Sequence, residues 1–349
     1  MPRDRRAGAL RLEAEGRAMR DAVAEDLGRL PGVVAGRFDR SHVPRGADRE
    51  RTLLARLRRA DAALVIAPEE HRTLERLTRL VLAAGARLLG CGPAAIRIAS
   101  DKGATARLLA ANAVPGPATR RVAFAGAASR LAGHPLPCVL KPIDGCGGAG
   151  VVVVRRRDAI AAALRRVRRS TSARALLAQE YIEGTDASVA VFAGGAGTLV
   201  PFGPFRQRLA RRGPLRYLGG DGPIDHPRAG EARELACRAV AALAAAAGGV
   251  RGYLGIDLVL APDGARVIEI NPRLTTAYVG LRRVMRDNPA RLILAAAADA
   301  PLPAAAAGAV SGRCRFRADG GVRWLERPML ERGGTAWRPS AAGISAASI

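Results

Sequence analysis

The sequence predicts an α/β (α+β) protein with more than one domain, in which a small doubly wound sheet precedes a larger mixed region. Three observations predict this architecture. Short strands and helices alternate between residues 33 and 90, which is typical of a parallel sheet with helices on both faces. Two later segments, 138–154 and 255–273, have the pattern of antiparallel hairpins. The chain has 349 residues, more than a single hydrophobic core comfortably accommodates.

The basic residues are almost all arginine, which weakens the usual inference from a net charge of +25. Lys102 and Lys141 are the only lysines among 56 basic residues. This skew, together with abundant alanine and glycine, is typical of a GC-rich genome. Aromatic residues make up only 3% and do not interleave with the basic runs, so a nucleic-acid partner is disfavoured. The two lysines instead indicate positions that require a compact ammonium rather than a planar guanidinium.

The cysteine pattern and the hydropathy predict a cytoplasmic protein with no membrane span. The five cysteines are odd in number and form no CxxC pair, as expected of free thiols in a reducing compartment. No apolar core follows the charged stretch 1–6, so no signal peptide is predicted. The most apolar tracts, 239–250 and 292–310, are either short or interrupted by acidic residues and prolines.

The N-terminal region has the pattern of a small doubly wound domain. The predicted elements are helices at 10–30, 48–59 and 69–84 and strands at 33–34, 62–67 and 87–90. A domain of this class normally opens with a strand, and residues 1–9 do not form one. Either the chain begins downstream of that strand or the strand has been lost.

Each lysine lies in a distinctive local setting. Ser100 is predicted to cap a helix at 101–112, which places Lys102 in its first turn, where the helix dipole disfavours a cation. A phosphate bound nearby would resolve that conflict, and a solvated lysine is the alternative. Lys141 lies on a predicted strand, Cys138–Pro142, that runs into a glycine-rich stretch.

The glycine-rich stretch after Lys141 predicts a mobile hairpin rather than a dinucleotide or Walker loop. Its glycines are Gly145, Gly147, Gly148 and Gly150. A dinucleotide site needs a helix after the glycines, whereas a β-branched strand, 151–154, follows here. No Gly-Lys-Ser/Thr closes the stretch. A glycine hairpin can close over phosphates with its backbone N–H groups, and an ordinary tight hairpin is the alternative.

Two predicted strands, 175–182 and 187–192, flank a second candidate binding element. The first strand ends at Ile182, where backbone groups could pair with an adenine edge, and Asp186 could accept hydrogen bonds from ribose hydroxyls. The stretch 201–227 is predicted to be an irregular arginine-rich loop that contacts an anionic substrate, or else a disordered basic loop. A helix is predicted at 229–247, and residues 334–349 are predicted to form a poorly ordered tail.

The segment 255–273 predicts a metal site. Its apolar strands turn at 262–264, and pairing Ala261 with Ala265 would place Asp257 opposite Glu269. Asn271 would lie on the same face. Two carboxylates this close require a cation between them, and three oxygen ligands suit Mg²⁺ or Mn²⁺. A solvated hairpin with scattered charges is the alternative.

Taken together, these elements resemble the ATP-grasp superfamily, with matching order and spacing over roughly residues 33 to 300. The resemblance implies a pre-ATP-grasp domain (1–96), two ATP-grasp subdomains (97–178 and 179–305) and a partly disordered extension (306–349). It implies that ATP and two magnesium (or manganese) ions bind. The implied ligands are Lys102, Lys141 and the glycine hairpin for the phosphates, Gln179 and Ile182 for adenine, Asp186 for ribose, and Asp257, Glu269 and Asn271 for the metal ions.

Within the superfamily, the stretches LEAEGRAMRDAVAEDL, QEYIEGTDASV and EINPRLTTAYVGLR resemble the tyramine-glutamate ligases of methanofuran biosynthesis and their relatives in methylotrophic bacteria. This resemblance implies a carboxylate-amine ligase that acts on small molecules through an acyl phosphate, and it allows a homodimer. Lys141 and Arg273 would be catalytic. Arg273 suits a carboxylate or acyl phosphate, or else makes a structural ion pair. Thr275, Thr276 and Tyr278 are candidates for the amine pocket. The alternatives are a different acceptor, an ATP-binding regulator without turnover, and a nucleic-acid binder.

Overall fold

The computed structural model describes residues 3–38, 48–145, 147–210, 215–302, 310–327 and 344–348. These residues form three β-sheets with helices packed against them. The predicted α/β class is confirmed. In the described part of the chain, no helix is both long and apolar enough to cross a membrane.

The first sheet is parallel and belongs to the N-terminal region. Its helices and strands are α1 (Arg3–Gly28), β1 (Val33–Arg37), α2 (Asp48–Leu57), β2 (Ala62–Leu64), α3 (Thr73–Ala83), β3 (Arg87–Leu88) and α4 (Pro93–Ser100). The final strand of the chain, β15 (Ile344–Ser348), pairs in parallel with β1 on one side and β2 on the other. The strand beside β1 is therefore supplied by the other end of the chain. This differs from the predicted tail at 334–349, whose remaining residues lie outside the described part.

The second sheet is antiparallel, with strand order β4-β7-β5-β6. Its elements are α5 (Lys102–Ala111), β4 (Thr119–Ala123), α6 (Ala127–Leu131), β5 (Cys138–Pro142), β6 (Val152–Val154), α7 (Ile160–Arg169) and β7 (Ala175–Glu180). The apolar face of α7 packs on this sheet through Ile160, Ala163 and Val167, while its arginines face outward. The strand that carries Lys141 is thus held between β6 and β7, and the glycine stretch joins β5 to β6 at the sheet edge.

The third sheet has seven strands in the order β12-β11-β8-β9-β10-β13-β14. Its strands are β8 (Thr185–Ala193), β9 (Leu199–Ala210), β10 (Arg216–Gly222), β11 (Gly252–Ala261), β12 (Gly264–Asn271), β13 (Arg313–Arg317) and β14 (Val322–Glu326). The helices on its faces are α8 (Ala229–Ala247), α9 (Ala277–Val284) and α10 (Ala290–Ala297). Residues 310–327 therefore extend this sheet rather than forming a separate extension.

The stretch 201–227, predicted to be an irregular loop, forms β9 and β10 in the third sheet. The prolines and glycines of this stretch are compatible with closely packed strands and do not indicate a disordered loop. A Cβ on Gly219 would approach the Phe316 carbonyl oxygen to 2.1 Å, so strands β10 and β13 can pair only because this position is glycine. Arg211 and Arg212 lie outside the described residues.

Candidate active site

A cavity of about 940 Å³ opens where the three sheets meet. Its walls contain all the predicted nucleotide, metal and catalytic residues except Gly150: Lys102, Lys141, Gly145, Gly147, Gly148, Gln179, Ile182, Asp186, Asp257, Glu269, Asn271 and Arg273. Residues separated by up to 171 positions in the sequence therefore surround one space. Gly150 lies at the base of the glycine hairpin, where a Cβ would approach Ser170 Cβ to 2.5 Å.

The β11–β12 hairpin brings Asp257 opposite Glu269, although not by the register that the sequence suggested. Ala261 pairs with Gly264 rather than with Ala265, a register that would place Asp257 opposite Ile268. A β-bulge between Asp257 and Leu258 absorbs one residue of β12 and restores the Asp257–Glu269 pair. Without the bulge, Glu269 would point to the opposite face of the sheet.

The polar groups at this hairpin form a connected set. The Asn271 side-chain amide donates to Asp257 Oδ2 at 3.2 Å, and Gln207 Nε2 donates to Asp257 Oδ1 at 2.8 Å. Burial, and then the neighbouring Glu269 carboxylate, raise the pKa of Asp257 to about 7 in spite of the hydrogen bonds from Asn271 and Ser188. A buried carboxylate beside a second one is the arrangement that a cation stabilises.

This hairpin offers a metal ion two kinds of oxygen ligand, from carboxylates and from a side-chain amide. Two carboxylates and the side-chain oxygen of Asn271, whose NH₂ group is already engaged, offer the hard oxygen ligands that Mg²⁺ prefers. Nowhere among the described residues do three or more His, Cys, Asp or Glu side chains cluster so as to hold a metal by themselves. Any ion here would therefore complete its coordination with water or substrate oxygens, which is usual for Mg²⁺.

Both lysines interact electrostatically with Glu269. Lys102 begins α5, and its Nζ donates to the Gly145 carbonyl at 2.8 Å and contacts Glu269 Oε1 at 2.5 Å. The cap of this helix is Asp101, not the predicted Ser100, because the Asp101 carboxylate accepts from the Gly103 and Ala104 amides. Ser100 ends α4 instead.

Lys141 is only 4% exposed and lies on β5 facing the cavity. Burial is the main cause that lowers the pKa of Lys141 to about 8; the Glu269 and Asp257 carboxylates oppose this shift and Lys102 adds to it. The pKa of Glu269 is lowered although burial opposes this, because both lysines and Arg273 stabilise its charged form. The site is therefore an alternating cluster of charges, which a polyphosphate with its counterion could enter.

The glycine stretch has the predicted strand–glycine–strand geometry, since β5 and β6 pair in antiparallel fashion. Gly145, Gly147, Gly148 and Gly150 all have positive φ, between 62° and 135°. Residues with a Cβ rarely adopt this conformation, so the turn depends on glycine. Its tip also approaches α1, because a Cβ on Gly147 would lie 3.2 Å from Leu12.

The residues predicted to contact the nucleoside line the cavity near the end of β7 and the start of β8. Gln179 is 5% exposed and donates from Nε2 to Thr119 Oγ1 at 2.8 Å, so its amide oxygen is the atom available as an acceptor. Ile182 follows the end of β7, and Asp186 lies near the start of β8, at the same wall.

Arg273 forms the structural ion pair that the sequence left as an alternative. Its guanidinium donates to both carboxylate oxygens of Glu69, at 2.8 and 3.0 Å. This bidentate pair connects the loop after β12 to the N-terminal region. Glu69 carries no sequence motif, and its role follows only from the fold.

The segment after Arg273 places Thr275 and Thr276 on the cavity wall, whereas Tyr278 lies away from it. Thr276 bonds the Tyr217 hydroxyl, and both residues line the cavity. The Thr275 hydroxyl lies 2.8 Å from that of Tyr253. Tyr278, predicted to belong to an amine pocket, is fully buried and donates to Asp26 at 2.9 Å, because α9 packs it against α1. Tyr217 and Gln207 lie on strands that were not predicted, so no local pattern marked them.

Comparison with known proteins places this site in context. Models of an ATP-grasp domain and a pre-ATP-grasp domain match residues 99–277 and 28–96. A tyramine–L-glutamate ligase from Methanocaldococcus jannaschii is 31% identical over 222 residues, which span 64% of this chain and 58% of that protein. The matched region is therefore less than two thirds of this relative.

Two solved structures are similar in fold. A putative ATP-grasp superfamily protein from Archaeoglobus fulgidus has a TM-score of 0.52 at 27% identity, covering 75% of this chain and 70% of that one. Biotin carboxylase from Campylobacter jejuni has a TM-score of 0.67 at 16% identity, covering 85% of this chain and 72% of that one. At that identity, the second likeness shows the fold alone.

Proposed function

Because the chain belongs to the ATP-grasp family, we propose that it is an ATP- and Mg²⁺-dependent ligase that joins a carboxylate to an amine. One observation carries the proposal. Two buried or nearly buried lysines and two opposed carboxylates line the same cavity, beneath a glycine hairpin. This combination suits phosphoryl transfer, which depends on positioning and charge stabilisation more than on covalent chemistry by the protein.

The nucleotide would lie between the second and third sheets. Its phosphates would contact the ammonium groups of Lys102 and Lys141 and the N–H groups of the glycine hairpin. The Gln179 amide oxygen would accept from the adenine amino group, with the Ile182 backbone beside it. Asp186 would accept from ribose. Buried cations in water-excluded surroundings stabilise phosphate charge more strongly than exposed ones, because the local dielectric is low.

Asp257, Glu269 and Asn271 would hold magnesium, as two ions by the family resemblance. When bound, the metal would neutralise the charge that develops on the phosphates during transfer. Lys102 contacts Glu269 in the structure, so it would divide its charge between this carboxylate and the nucleotide. The chain itself contributes the geometry that keeps these groups in place.

The reaction would have two steps. The substrate carboxylate attacks the γ-phosphorus, which gives an acyl phosphate and ADP. An amine then attacks the acyl carbon, and phosphate leaves as the amide forms. Lys141 would stabilise the transferring phosphoryl group, and Arg273, held by Glu69, would add positive charge at the carboxylate end of the cavity. Excluding water protects the acyl phosphate from hydrolysis.

We further propose glutamate as the carboxylate and tyramine or tyrosine as the amine. The support is the similarity to a tyramine–L-glutamate ligase, together with a cavity large enough for a nucleotide and a second small molecule. Peptide-like ligation or carboxylation with a different acceptor would keep the same ATP site.

The decisive test is ATP consumption by the purified protein with magnesium and glutamate, with and without tyramine or tyrosine. We expect ADP and phosphate in equal amounts, together with an amide product, when both substrates are present. A variant with Lys102→Met and Lys141→Met controls for contaminating ATPases. Tight magnesium-dependent ATP binding with no turnover for any acid and amine pair would contradict the ligase proposal and favour a regulator.

A further inference from the structure

Helix α1 is built into the wall of the cavity, although neither matched family model includes its first 25 residues. Its C-terminal half is anchored to α9. The buried Asp26 carboxylate accepts from Tyr278 Oη at 2.9 Å and from Arg282 Nε at 2.8 Å, and its backbone carbonyl accepts from Asn288. Met19, Val23 and Leu27 pack into the same core. The N-terminal half of α1 is thereby held along the cavity.

Glu15 is the carboxylate that this anchored helix presents to the cavity. It lines the wall together with Leu12, Gly16 and Met19, one helical face of α1. Within the described part of the chain, the Glu15 carboxylate makes no hydrogen bond and no ion pair. It is partly buried, so this is not a solvated surface charge. Burying a carboxylate that receives no hydrogen bond destabilises the folded protein, unless a bound ligand donates that hydrogen bond.

Among the described residues, the charged neighbours of Glu15 give its carboxylate no hydrogen bond. The charged and titratable groups that face it are Arg273 from the loop after β12, Arg11 from α1 and Tyr217 from β10. Arg273 is already committed to Glu69 by two hydrogen bonds. Burial raises the pKa of Glu15 to about 7, and Arg273 and Arg11 offset only part of this. Glu15 can therefore exchange a proton near neutral pH.

We propose that Glu15 binds the ammonium group of the amine substrate and takes a proton from it, with Thr276 and Tyr217 on the adjoining wall. This inference rests on the proposed ligase function and deepens it. Glu15 and the two lysines line the same cavity, so the bound amine and the acyl phosphate would share one space. The ligand class is a protonated primary amine.

Proton balance favours this assignment. An ammonium ion has no lone pair, so it must lose one proton before it attacks. Glu15 would accept that proton. The nitrogen lone pair then forms the bond to the acyl carbon, and the carbon–oxygen bond to phosphate breaks with its electron pair going to phosphate. The second proton leaves the nitrogen of the adduct to the departing phosphate. Glu15 returns its proton to solvent.

The test compares two nucleophiles in wild type and Glu15→Gln. Hydroxylamine is uncharged at neutral pH and traps the acyl phosphate as a hydroxamate without needing a carboxylate partner. We expect kcat/KM for a protonated primary amine such as tyramine to fall about 10- to 100-fold in Glu15→Gln, the range for losing one charge-assisted hydrogen bond. The KM for the amine should rise, while hydroxamate formation and the KM for ATP stay as in wild type.

Matched control variants distinguish a role of Glu15 in amine binding from a general effect of changing α1. Glu25→Gln makes the same chemical change on α1, at a half-exposed carboxylate outside the cavity, and should behave as wild type with both nucleophiles. Glu15→Asp keeps the charge and should recover part of the amine activity. Equal loss with both nucleophiles in a folded Glu15→Gln protein, or no loss with the amine, would overturn the role of Glu15. Wild type that forms neither hydroxamate nor amide would overturn the ligase proposal itself, and the inference with it.

Discussion

Replacing Asp26 by asparagine tests whether α1 is locked to the catalytic region by a buried ion pair. Asp26 and Arg282 have side chains that are each only 5% exposed, and Arg282 donates to both Asp26 carboxylate oxygens. Asparagine preserves the volume but removes the charge. Removing one partner of a buried pair costs about 3–5 kcal/mol, because the other charge remains buried without compensation.

The expected magnitude lies at the lower end of that range. Arg282 would keep a second partner, since its Nη2 also lies 3.0 Å from the half-exposed Glu25. We therefore expect Asp26→Asn to lower the free energy of unfolding by about 3 kcal/mol. With a urea m-value of about 3 kcal/mol/M, this loss shifts the unfolding midpoint by about 1 M.

The assay is equilibrium urea unfolding followed by circular dichroism. Asp158→Asn is the control, because Asp158 pairs with Arg156 at the surface, where the two side chains are 64% and 81% exposed and such pairs contribute about 0–1 kcal/mol. The double variant Asp26→Asn/Arg282→Met removes the stranded charge and should be more stable than Asp26→Asn alone. A midpoint shift no larger than the control's would refute the buried-pair reasoning.

Three further predictions concern the site and the N-terminal region. Lys141→Arg should lower ligase activity at least about 100-fold while circular dichroism stays unchanged, because the guanidinium cannot replace a compact ammonium in this buried position; wild-type turnover would contradict it. Glu269→Gln should raise the magnesium concentration needed for nucleotide binding, and an unchanged magnesium titration would remove Glu269 from the metal site. The hydrogen bond from Arg72 lowers the pKa of Glu75 to about 2, below its value in the unfolded chain. The stability from this pair is therefore complete above about pH 4.5 and lost as pH falls toward 2, and Glu75→Gln should flatten this part of the stability curve.

Much of the fold and of the candidate site follows from local sequence patterns. The strand with Lys141 and its glycine hairpin were predictable because strand and turn preferences are properties of neighbouring residues. Helix α8 has the predicted bounds, Ala229–Ala247. The facing pair Asp257 and Glu269 was also predicted, since a hairpin connects strands that are adjacent in sequence.

Elements that depend on distant partners were not predictable in the same way. The bulge in β12 leaves no signature in its apolar run, yet it decides which face Glu269 occupies. The strands β9 and β10 were taken for a loop, because their glycines are required by Phe316 in a strand almost a hundred residues later. The insertion of β15 between β1 and β2 joins the two ends of the chain.

The sequence by itself therefore determined which chemical groups this protein has: two lysines, a glycine hairpin and a pair of carboxylates in the order typical of the ATP-grasp family. Tertiary structure alone decided which other residues these groups lie beside. It pairs Arg273 with Glu69 across two regions, and it brings Glu15 from the first helix to the cavity. The physical reason is that side-chain type and periodicity are local properties, whereas burial, charge pairing and the walls of a cavity arise from contacts between residues far apart in the chain.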